Sequence, residues 1–257
     1  MKNPFVRRLS TWLYRALGWG LLSVPWAADG MDFTTCEIAG KRITVCRMHV
    51  HEENWGLYLR DEAGQPFHTF SAIDLHLQAK GRRLAFAMNA GMYHADYTPV
   101  GLFVESGVEL APLNMADGFG NFFLKPNGVF LISDKGAQVV EASEYPGIAA
   151  REMVALATQS GPLLLRAGKI HPAFNEASTS RLFRNGVGVP SPDLALFAIT
   201  EQPVNFFEFA TLFRDVLHCP DALFFDGTVS SLFSTELKRN DSRVDLGPII
   251  GVTKPGP

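Results

Sequence analysis

Residues 205–227 read NFFEFATLFRDVLHCPDALFFDG, a pattern that places a helix directly before a buried strand. Apolar residues after Asn205 recur at helical spacing, so they share one face of a predicted helix that ends at Pro220. These residues are Phe206, Phe209, Ala210, Phe213, Val216 and Leu217. The apolar run at residues 222–225 then predicts a buried strand, which carries Asp226 at its end.

Other segments extend this pattern toward the N-terminus. Residues 42–50 alternate β-branched and polar residues, which predicts a strand with a partner strand at 55–59. Residues 84–88, 153–158 and 194–199 are apolar runs of strand length. Hairpins are predicted to turn at Ser106-Gly107 and at Asn127-Gly128, and a helix over 71–80 has Ser71 as its N-cap. We therefore expect an α+β fold: a single domain from about residue 30 onward, with a mixed, strand-rich sheet packed by a few helices.

Composition limits the classes of partner. The chain is 47% hydrophobic, which supports a sizeable core, and its formal net charge is −3. That charge offers no basic surface of the kind that nucleic acid requires, so we expect no nucleic-acid partner. One local cationic pocket remains compatible with binding a single phosphate.

The N-terminus has the composition of an export signal. Lys2, Arg7 and Arg8 precede an apolar stretch at residues 16–28, which is short for a membrane span but suits the apolar region of a signal peptide. We expect residues 1–28 to be a signal peptide or an N-terminal membrane anchor, and the protein to be periplasmic or secreted. An amphipathic N-terminal helix is the alternative.

Cysteine positions are compatible with an oxidising compartment. A three-residue hairpin loop that pairs Ala39 with Ile43 places Cys36 opposite Cys46, within disulfide range. Two buried thiols are the alternative. Cys219 has no evident partner in the sequence.

Among the acidic residues, Asp226 has the sequence context that is most informative about function. A carboxylate at the end of a buried strand is partly desolvated, so its pKa can rise into the range that acid–base catalysis uses. Gly227 after it permits a tight turn and a close backbone approach to a ligand. The alternative is an aspartate that only caps the turn.

Two more apolar runs end in polar or small residues. Asn89 and Gly91 follow residues 84–88, and an amide there can donate to a phosphate or sugar oxygen. Gln159, Ser160 and Gly161 follow residues 153–158 in the same way. Such residues also form ordinary turns.

A cationic, glycine-containing segment begins at Arg184. A guanidinium beside Gly186 and Gly188 suits an anionic oxygen cluster, because its fork binds two phosphate oxygens at once. Arg181 competes for this role, and a solvated loop arginine is the alternative. The glycine spacing is neither a P-loop nor a dinucleotide fingerprint.

Metal and serine chemistry receive little support from the sequence. His49 and His51 point the same way in a predicted strand, but no Cys/His cluster accompanies them. His94 and His171 lie in predicted loops. No serine, including Ser160, Ser230 and Ser231, lies in a Gly-x-Ser-x-Gly elbow.

In their order along the chain, these motifs resemble those of the phosphodiester glycosidase family, the family of the lysosomal uncovering enzyme, in its bacterial exported branch. The motifs are Asn89-Ala90-Gly91-Met92-Tyr93, Gln159-Ser160-Gly161-Pro162, Arg184-Asn185-Gly186-Val187-Gly188 and Asp226-Gly227-Thr228-Val229-Ser230-Ser231. The resemblance extends from about Leu84 to Val252. The chain departs from the family pattern at Asn185-Gly186, at Thr228-Val229 and at Met92-Tyr93.

The resemblance implies a hydrolase that cleaves a sugar-1-phosphodiester and leaves a phosphomonoester. Asp226, Arg184 and Asn89 are the expected catalytic residues: Asp226 acts as a general base or stabilises an oxocarbenium-like transition state, and Arg184 holds the phosphate. Asp96 is a candidate acid. The expected substrate-binding residues are Gly91, Tyr93, Gln159, Ser160, Gly161, Gly186, Gly188, Gly227 and Ser230. Tyr93 would stack on a sugar face.

The expected partner is a small-molecule or glycan substrate that carries a phosphodiester, with membrane contact only through the N-terminal segment. A divalent cation such as Ca²⁺ is compatible with this chemistry, but no ligand set can be identified from the sequence. The rival functions are a non-catalytic periplasmic module that binds glycans or phosphosugars, and a serine-type esterase or amidase.

Overall fold

A computed structural model describes residues 30–256 and arranges their strands in three sheets. Sheet A has the order β1 (Met31–Ile38), β2 (Lys41–His49), β13 (Leu194–Thr200), β12 (Asn185–Ser191), β14 (Asp221–Phe224), β10 (Leu163–Arg166) and β11 (Lys169–Ile170). Sheet B has the order β16 (Arg239–Asn240), β15 (Leu232–Ser234), β4 (Arg82–Asn89), β17 (Ile249–Pro255) and β3 (Asn54–Tyr58). Sheet C has the order β6 (Val108–Ala111), β5 (Phe103–Glu105), β9 (Val154–Ser160), β7 (Gly128–Ser133) and β8 (Gly136–Glu141).

The inner faces of the three sheets share one apolar core. Phe197 of sheet A lies 5.3 Å from the Phe86 ring of sheet B and 5.7 Å from the Phe130 ring of sheet C, between ring centroids. Phe225 also packs against Phe197, at 6.3 Å. Aromatic rings bury large areas each, so these four phenylalanines contribute strongly to the shared core.

Each sheet carries one helix on its outer face. Helix α1 (Phe70–Gln78) packs on sheet B, α2 (Tyr145–Ala149) packs on sheet C, and α3 (Phe206–Thr211) packs on sheet A. The fold is therefore a strand-rich α+β domain with few helices. The expectation of one mixed sheet is wrong, because the described strands form three sheets and every pairing between them is antiparallel.

Two predicted pairings are also wrong. Strand β3 pairs with β17 in sheet B, whereas β2 pairs with β1 and β13 in sheet A. The second hairpin joins β7 to β8 and does not turn at Asn127-Gly128. The Asn127 amide is buried and donates to the Phe122 carbonyl at 3.0 Å, and a Cβ at Gly128 would lie 2.7 Å from the Val140 carbonyl. This Asn-Gly pair therefore serves packing rather than a turn.

Helix ends shift by small amounts from the prediction. Thr69 caps α1 by accepting from the Ala72 amide at 3.2 Å, so Ser71 is not the N-cap. Asn205 caps α3 as expected. A π-helical turn at Leu212–Val216 follows α3 and changes the helical phase. Val216 is consequently 41% exposed instead of sharing the buried face.

The first hairpin turns more tightly than expected. Ala39 and Gly40 have φ angles of 49° and 70°, and Ile38 pairs with Lys41 across this two-residue turn. The register places Cys36 opposite Ile43 and Cys46 opposite Phe33, so the predicted Cys36–Cys46 pairing is wrong. Both thiols are free.

The predicted signal segment at residues 1–28 lies outside the described residues. No helix in residues 30–256 combines the length and apolar content that crossing a bilayer requires.

Candidate functional site

The side chain of Asp226 lies just past the end of β14 with little solvent around it. Its Oδ1 accepts a hydrogen bond from the Thr228 amide at 3.1 Å. Burial raises the pKa of Asp226 to about 6, although the Thr228 bond opposes the shift. No arginine or lysine in residues 30–256 forms an ion pair with it. The carboxyl can therefore exchange a proton near neutral pH.

Asn89 and Asn185 tie three segments together beneath Asp226. The Asn89 Oδ1 accepts from the Asn185 Nδ2 and from the Ser231 amide, both at 2.9 Å. Its Nδ2 donates to the Asp226 carbonyl at 3.3 Å. The Asn185 Oδ1 accepts from the Asp226 amide at 3.2 Å. Both asparagines are fully buried, so they hold the main chain on either side of the carboxyl.

The turn after Asp226 is held by a hydrogen bond within the turn and by packing against segment 172–183. Ser230 donates its hydroxyl to the Asp226 carbonyl at 3.0 Å. A Cβ at Gly227 would lie 2.6 Å from the Phe183 carbonyl, so the close approach of segment 172–183 requires glycine here. Asp226, Gly227, Ser230 and Asn89 are therefore brought together as the sequence predicts.

Tyr93 lies near Asp226 but is packed into a loop. Its hydroxyl donates to the Asp245 carbonyl at 2.7 Å, and its ring stacks on Tyr97 with centroids 5.7 Å apart. Burial, followed by the charge of Asp226, raises the pKa of Tyr93 to about 12. Because Tyr97 covers one face and Gly247 also packs against the ring, the expectation that Tyr93 stacks on a sugar is not met in this arrangement.

Gly91 adopts a φ of 140°, in the region that favours glycine. A Cβ at this position would lie 2.8 Å from the Thr158 Oγ1, so the residue closes the gap between β4 and β9. It shapes the site by letting the chain turn there.

Arg184 is enclosed rather than open to a ligand. Only 1% of it is exposed; its Nε donates to the Val204 carbonyl at 3.0 Å and its Nη2 to the Ser180 carbonyl at 3.4 Å. The guanidinium lies 3.5 Å over the Phe206 ring, and its Nη1 has no partner in residues 30–256. Burial lowers the pKa of Arg184 to about 10. In this arrangement it holds segment 172–183 against α3.

Gly186 and Gly188, which the sequence suggested as substrate-binding residues, lie in a central strand. Both lie within β12, where β13 and β14 pair with the strand on its two sides. A Cβ at Gly186 would lie 2.4 Å from the Leu223 carbonyl, and one at Gly188 would lie 2.6 Å from the Cys219 Sγ. These glycines let sheet A pack closely.

Gln159, Ser160 and Gly161, also predicted to bind substrate, make internal contacts. The Ser160 hydroxyl is fully buried and donates to the Phe225 carbonyl at 2.6 Å. The Gln159 Oε1 accepts from the Asn114 amide at 2.9 Å, and its Nε2 donates to the Asn114 carbonyl at 2.7 Å. A Cβ at Gly161 would lie 2.7 Å from the Phe122 carbonyl. Ser160 therefore cannot serve as an exposed nucleophile.

Other titratable candidates lie outside the site. Asp96 is exposed, and its bonds to the hydroxyl and amide of Thr98 lower its pKa, which makes it a poor general acid. His51 forms an ion pair with Asp193 at 3.1 Å. Within residues 30–256, no group of three or more His, Cys, Asp and Glu side chains is arranged to hold a metal ion.

A pocket of about 150 Å³ opens directly beside the turn that follows Asp226. Residues of turn 227–231 form one wall, and residues of segment 239–244 form the other. Arg239 in that segment binds Glu201 at 2.6 Å and Asp241 at 2.8 Å. Arg243 is exposed and forms no ion pair with residues 30–256.

Sequence reasoning missed Asn185 and Arg243. Asn185 stands next to Arg184 in a recognised motif, so its position in that motif was the available signal. Arg243 lies in a loop without a motif, and only the folded chain brings it to the pocket beside turn 227–231. A larger groove of about 710 Å³, lined by residues such as Arg151 and Arg166, contains none of the predicted site residues.

Comparisons with known proteins match most of the chain. Residues 82–253 match the family model described as phosphodiester glycosidase. The uncharacterized protein YigE of Escherichia coli K12 is 31% identical over 200 residues, which cover 77% of this chain and 77% of that protein.

Solved structures share the fold at low sequence identity. The catalytic domain of zebrafish N-acetylglucosamine-1-phosphodiester alpha-N-acetylglucosaminidase, auto-inhibited by its pro-peptide, has a TM-score of 0.57 at 12% identity over 87% of this chain and 82% of its own. A hypothetical protein from Synechocystis has a TM-score of 0.54 at 13% identity, covering 87% of this chain and 62% of its own. A putative exported protein from Burkholderia pseudomallei has a TM-score of 0.52 at 10% identity, covering 82% and 74%.

Proposed function

The chain belongs to the phosphodiester glycosidase family, and from this premise we propose that it hydrolyses sugar-1-phosphodiesters with Asp226 as the catalytic carboxylate. The zebrafish structure of the same fold carries the name of an enzyme for such a linkage. One observation supports the choice of residue. Asp226 is partly buried, its pKa is raised to about 6, and it directly precedes turn 227–231, which lines a pocket.

The reaction breaks the bond between the sugar C1 and the phosphate oxygen. Water supplies the new oxygen at C1, and its proton passes to the ionised Asp226 and then to solvent. The phosphate, which carries one negative charge as a diester, leaves as a phosphomonoester with two. Asp226 acts as the base for water or stabilises the oxocarbenium-like transition state, and either role requires its ionised form.

Asn89 and Asn185 act as positioning residues in this proposal. Their side chains bond to the main chain of Asp226 and to the Ser231 amide, so they fix the carboxyl and the turn that follows it. Arg184 also enters as a positioning residue, because its guanidinium holds the Ser180 carbonyl and stays buried. Such supporting bonds keep a catalytic group within the narrow geometry that the reaction tolerates.

Substrate and location follow from the same proposal. We place the substrate in a cell-envelope or extracellular glycan and the protein in the periplasm or outside the cell, with export through residues 1–28. A divalent cation such as Ca²⁺ remains part of the proposal to be tested by chelation.

The test is hydrolysis of a panel of sugar-1-phosphodiesters by the purified full chain, with and without Ca²⁺ or a chelator. Release of free sugar and of phosphomonoester is measured separately. Asp226→Asn is expected to lower turnover by at least about 100-fold, as the loss of a general base does. Asp215→Asn is the control, because Asp215 is exposed and ion-paired with Arg214 away from the pocket.

Turnover that survives in Asp226→Asn would contradict the assignment of the carboxylate. Absence of turnover on every substrate, with phosphosugar binding retained, would instead identify a binding module.

A further inference from the structure

We propose that the pocket between turn 227–231 and segment 239–244 binds the phosphate of the substrate, with Arg243 as its cationic ligand. This inference rests on the proposed function and names the groups that bind and neutralise the leaving phosphate. It moves the phosphate site away from Arg184.

Turn 227–231 presents donors that its own fold does not use. The amide of Thr228 bonds to Asp226, that of Ser230 bonds to the Gly227 carbonyl, and that of Ser231 bonds to Asn89. The amides of Gly227 and Val229 and the hydroxyl of Thr228 donate to no group in residues 30–256. Unpaired main-chain amides and a hydroxyl in one turn are donors of the kind that proteins use to bind anions.

The pocket wall opposite the turn supplies a cation. Glu201 and Asp241 also line the pocket, and both carboxylates are bonded to Arg239. Arg243 lines the same pocket, is exposed, and has no carboxylate partner within the described part of the chain. An uncommitted guanidinium across a small pocket from free donors is an arrangement that suits a phosphate.

The proposed reaction needs such a site. The charge on the phosphate grows from −1 to −2 as the C1–O bond breaks, while Asp226 nearby is itself negative before it accepts a proton. Donors and a cation beside the phosphate therefore stabilise the transition state more than the ground state. Gly227 and Thr228 line the pocket, and the Thr228 amide bonds to the Asp226 carboxyl at 3.1 Å, which links the carboxylate to this turn.

The alternative phosphate ligand predicted from the sequence does not fit this geometry. Arg184 is 1% exposed and its Nε and Nη2 already bind carbonyl oxygens. Gly186 and Gly188 lie within a central strand. A substrate reaches Arg243 and the turn without any rearrangement of segment 172–183.

The experiment measures binding of inorganic phosphate to the full chain by ¹H–¹⁵N correlation NMR, independently of turnover. We expect saturable shifts centred on the amides of Gly227 and Val229. Arg243→Ala is expected to weaken phosphate binding by about 10-fold or more, the effect of losing a charge-assisted pair. Arg243→Lys should retain part of the affinity, because it keeps the charge and loses the fork.

Arg151→Ala is the matched control, since Arg151 is exposed and lines the groove that contains none of the site residues. It should bind phosphate as the parent does. Equal affinities for Arg243→Ala and Arg151→Ala, shifts centred outside turn 227–231, or no saturable binding at all would each overturn the inference.

Kinetics separates this inference from the proposed function. If a sugar-1-phosphodiester is hydrolysed, Arg243→Ala should raise KM and lower kcat/KM while the pH dependence set by Asp226 stays unchanged. Phosphate binding at the turn in a chain without turnover would support the pocket and count against the glycosidase reaction.

Discussion

At the scale of single residues, the burial of Asp226 connects activity to stability. Its pKa is raised to about 6, so the folded state holds a proton that the unfolded chain releases near pH 4. Between these two values the folded protein binds more protons, and its stability therefore falls as the pH rises. Above about pH 6 the ionised, desolvated carboxylate is a constant cost to folding.

Asp226→Asn should therefore raise the free energy of unfolding at pH 7.5 by about 1–3 kcal/mol. The gain should shrink as the pH falls from 6 toward 4, because the carboxyl of the folded parent is then protonated and no longer buries a charge. Urea unfolding at several pH values measures this difference. Asp215→Asn provides the contrast, since Arg214 lowers the pKa of Asp215 and that exposed pair contributes little. A variant that is less stable than the parent at pH 7.5 would contradict the burial argument.

Asn89 is expected to matter through the groups it satisfies. Asn89→Ala leaves the buried Ser231 amide and the Asn185 Nδ2 without the oxygen they share. Each buried donor left unpaired costs about 1–3 kcal/mol, so we expect a loss of about 2–4 kcal/mol in urea unfolding together with loss of activity.

Asn240→Ala is the control for that loss, because the Asn240 amide is exposed and bonds only to the Ser71 hydroxyl. Equal stabilities of the two variants would show that the Asn89 bonds do not hold the site together.

At the scale of elements, strand β12 depends on residues without side chains. Gly186→Ala places a Cβ 2.4 Å from a backbone carbonyl, which cannot move without shifting β14. Gly188→Ala meets the Cys219 Sγ and the Phe213 ring at 2.6 Å, where side chains can adjust. We expect losses of about 1–3 kcal/mol for Gly188→Ala and a larger loss for Gly186→Ala.

Thermal unfolding checks this order, with Gly147→Ala in α2 as the control because its Cβ would make only an ordinary contact at 3.8 Å. An unchanged melting temperature for Gly186→Ala would contradict the packing of sheet A described above.

Much of the local structure follows from the sequence because its signals are local. The apolar runs before Asn89 and Asp226 predict strands β4 and β14, and Asn205 predicts the start of α3. The sheet to which each strand belongs does not follow from the sequence. Strand β3 is predicted to pair with β2, but it pairs with β17, which lies about 200 residues away in the chain. The π-helical turn after α3 has no sequence signature that exposes Val216 in advance.

In the candidate site, too, some residues can be predicted from the sequence and others cannot. Asp226 and Asn89 are predictable because each ends a buried strand, and a strand end is visible in the sequence. Arg243 is not, because only the packing of segment 239–244 against turn 227–231 brings it to the pocket. The burial of Arg184 is equally invisible, since it depends on Phe206 and on the Ser180 carbonyl.

At the scale of the whole molecule, three sheets around one core leave their connecting loops free to build a site. Asn89 ends β4 in sheet B, Asn185 begins β12 in sheet A, and Asp226 follows β14. Sheet C contributes through Ser160, whose hydroxyl holds the Phe225 carbonyl. The main chain around Asp226 is thus held by residues of all three sheets.

The measurement that tests the central claim most directly is the pH dependence of kcat/KM on whichever sugar-1-phosphodiester the protein hydrolyses. Because Asp226 acts in its ionised form and its pKa is raised to about 6, kcat/KM should rise about tenfold per pH unit below 6 and level off above it. The residual activity of Asp226→Asn should lose this dependence. A kcat/KM that does not change between pH 5 and 7 would contradict the role assigned to this carboxylate. So would an Asp226→Asn variant whose kcat/KM rises with pH as that of the parent does.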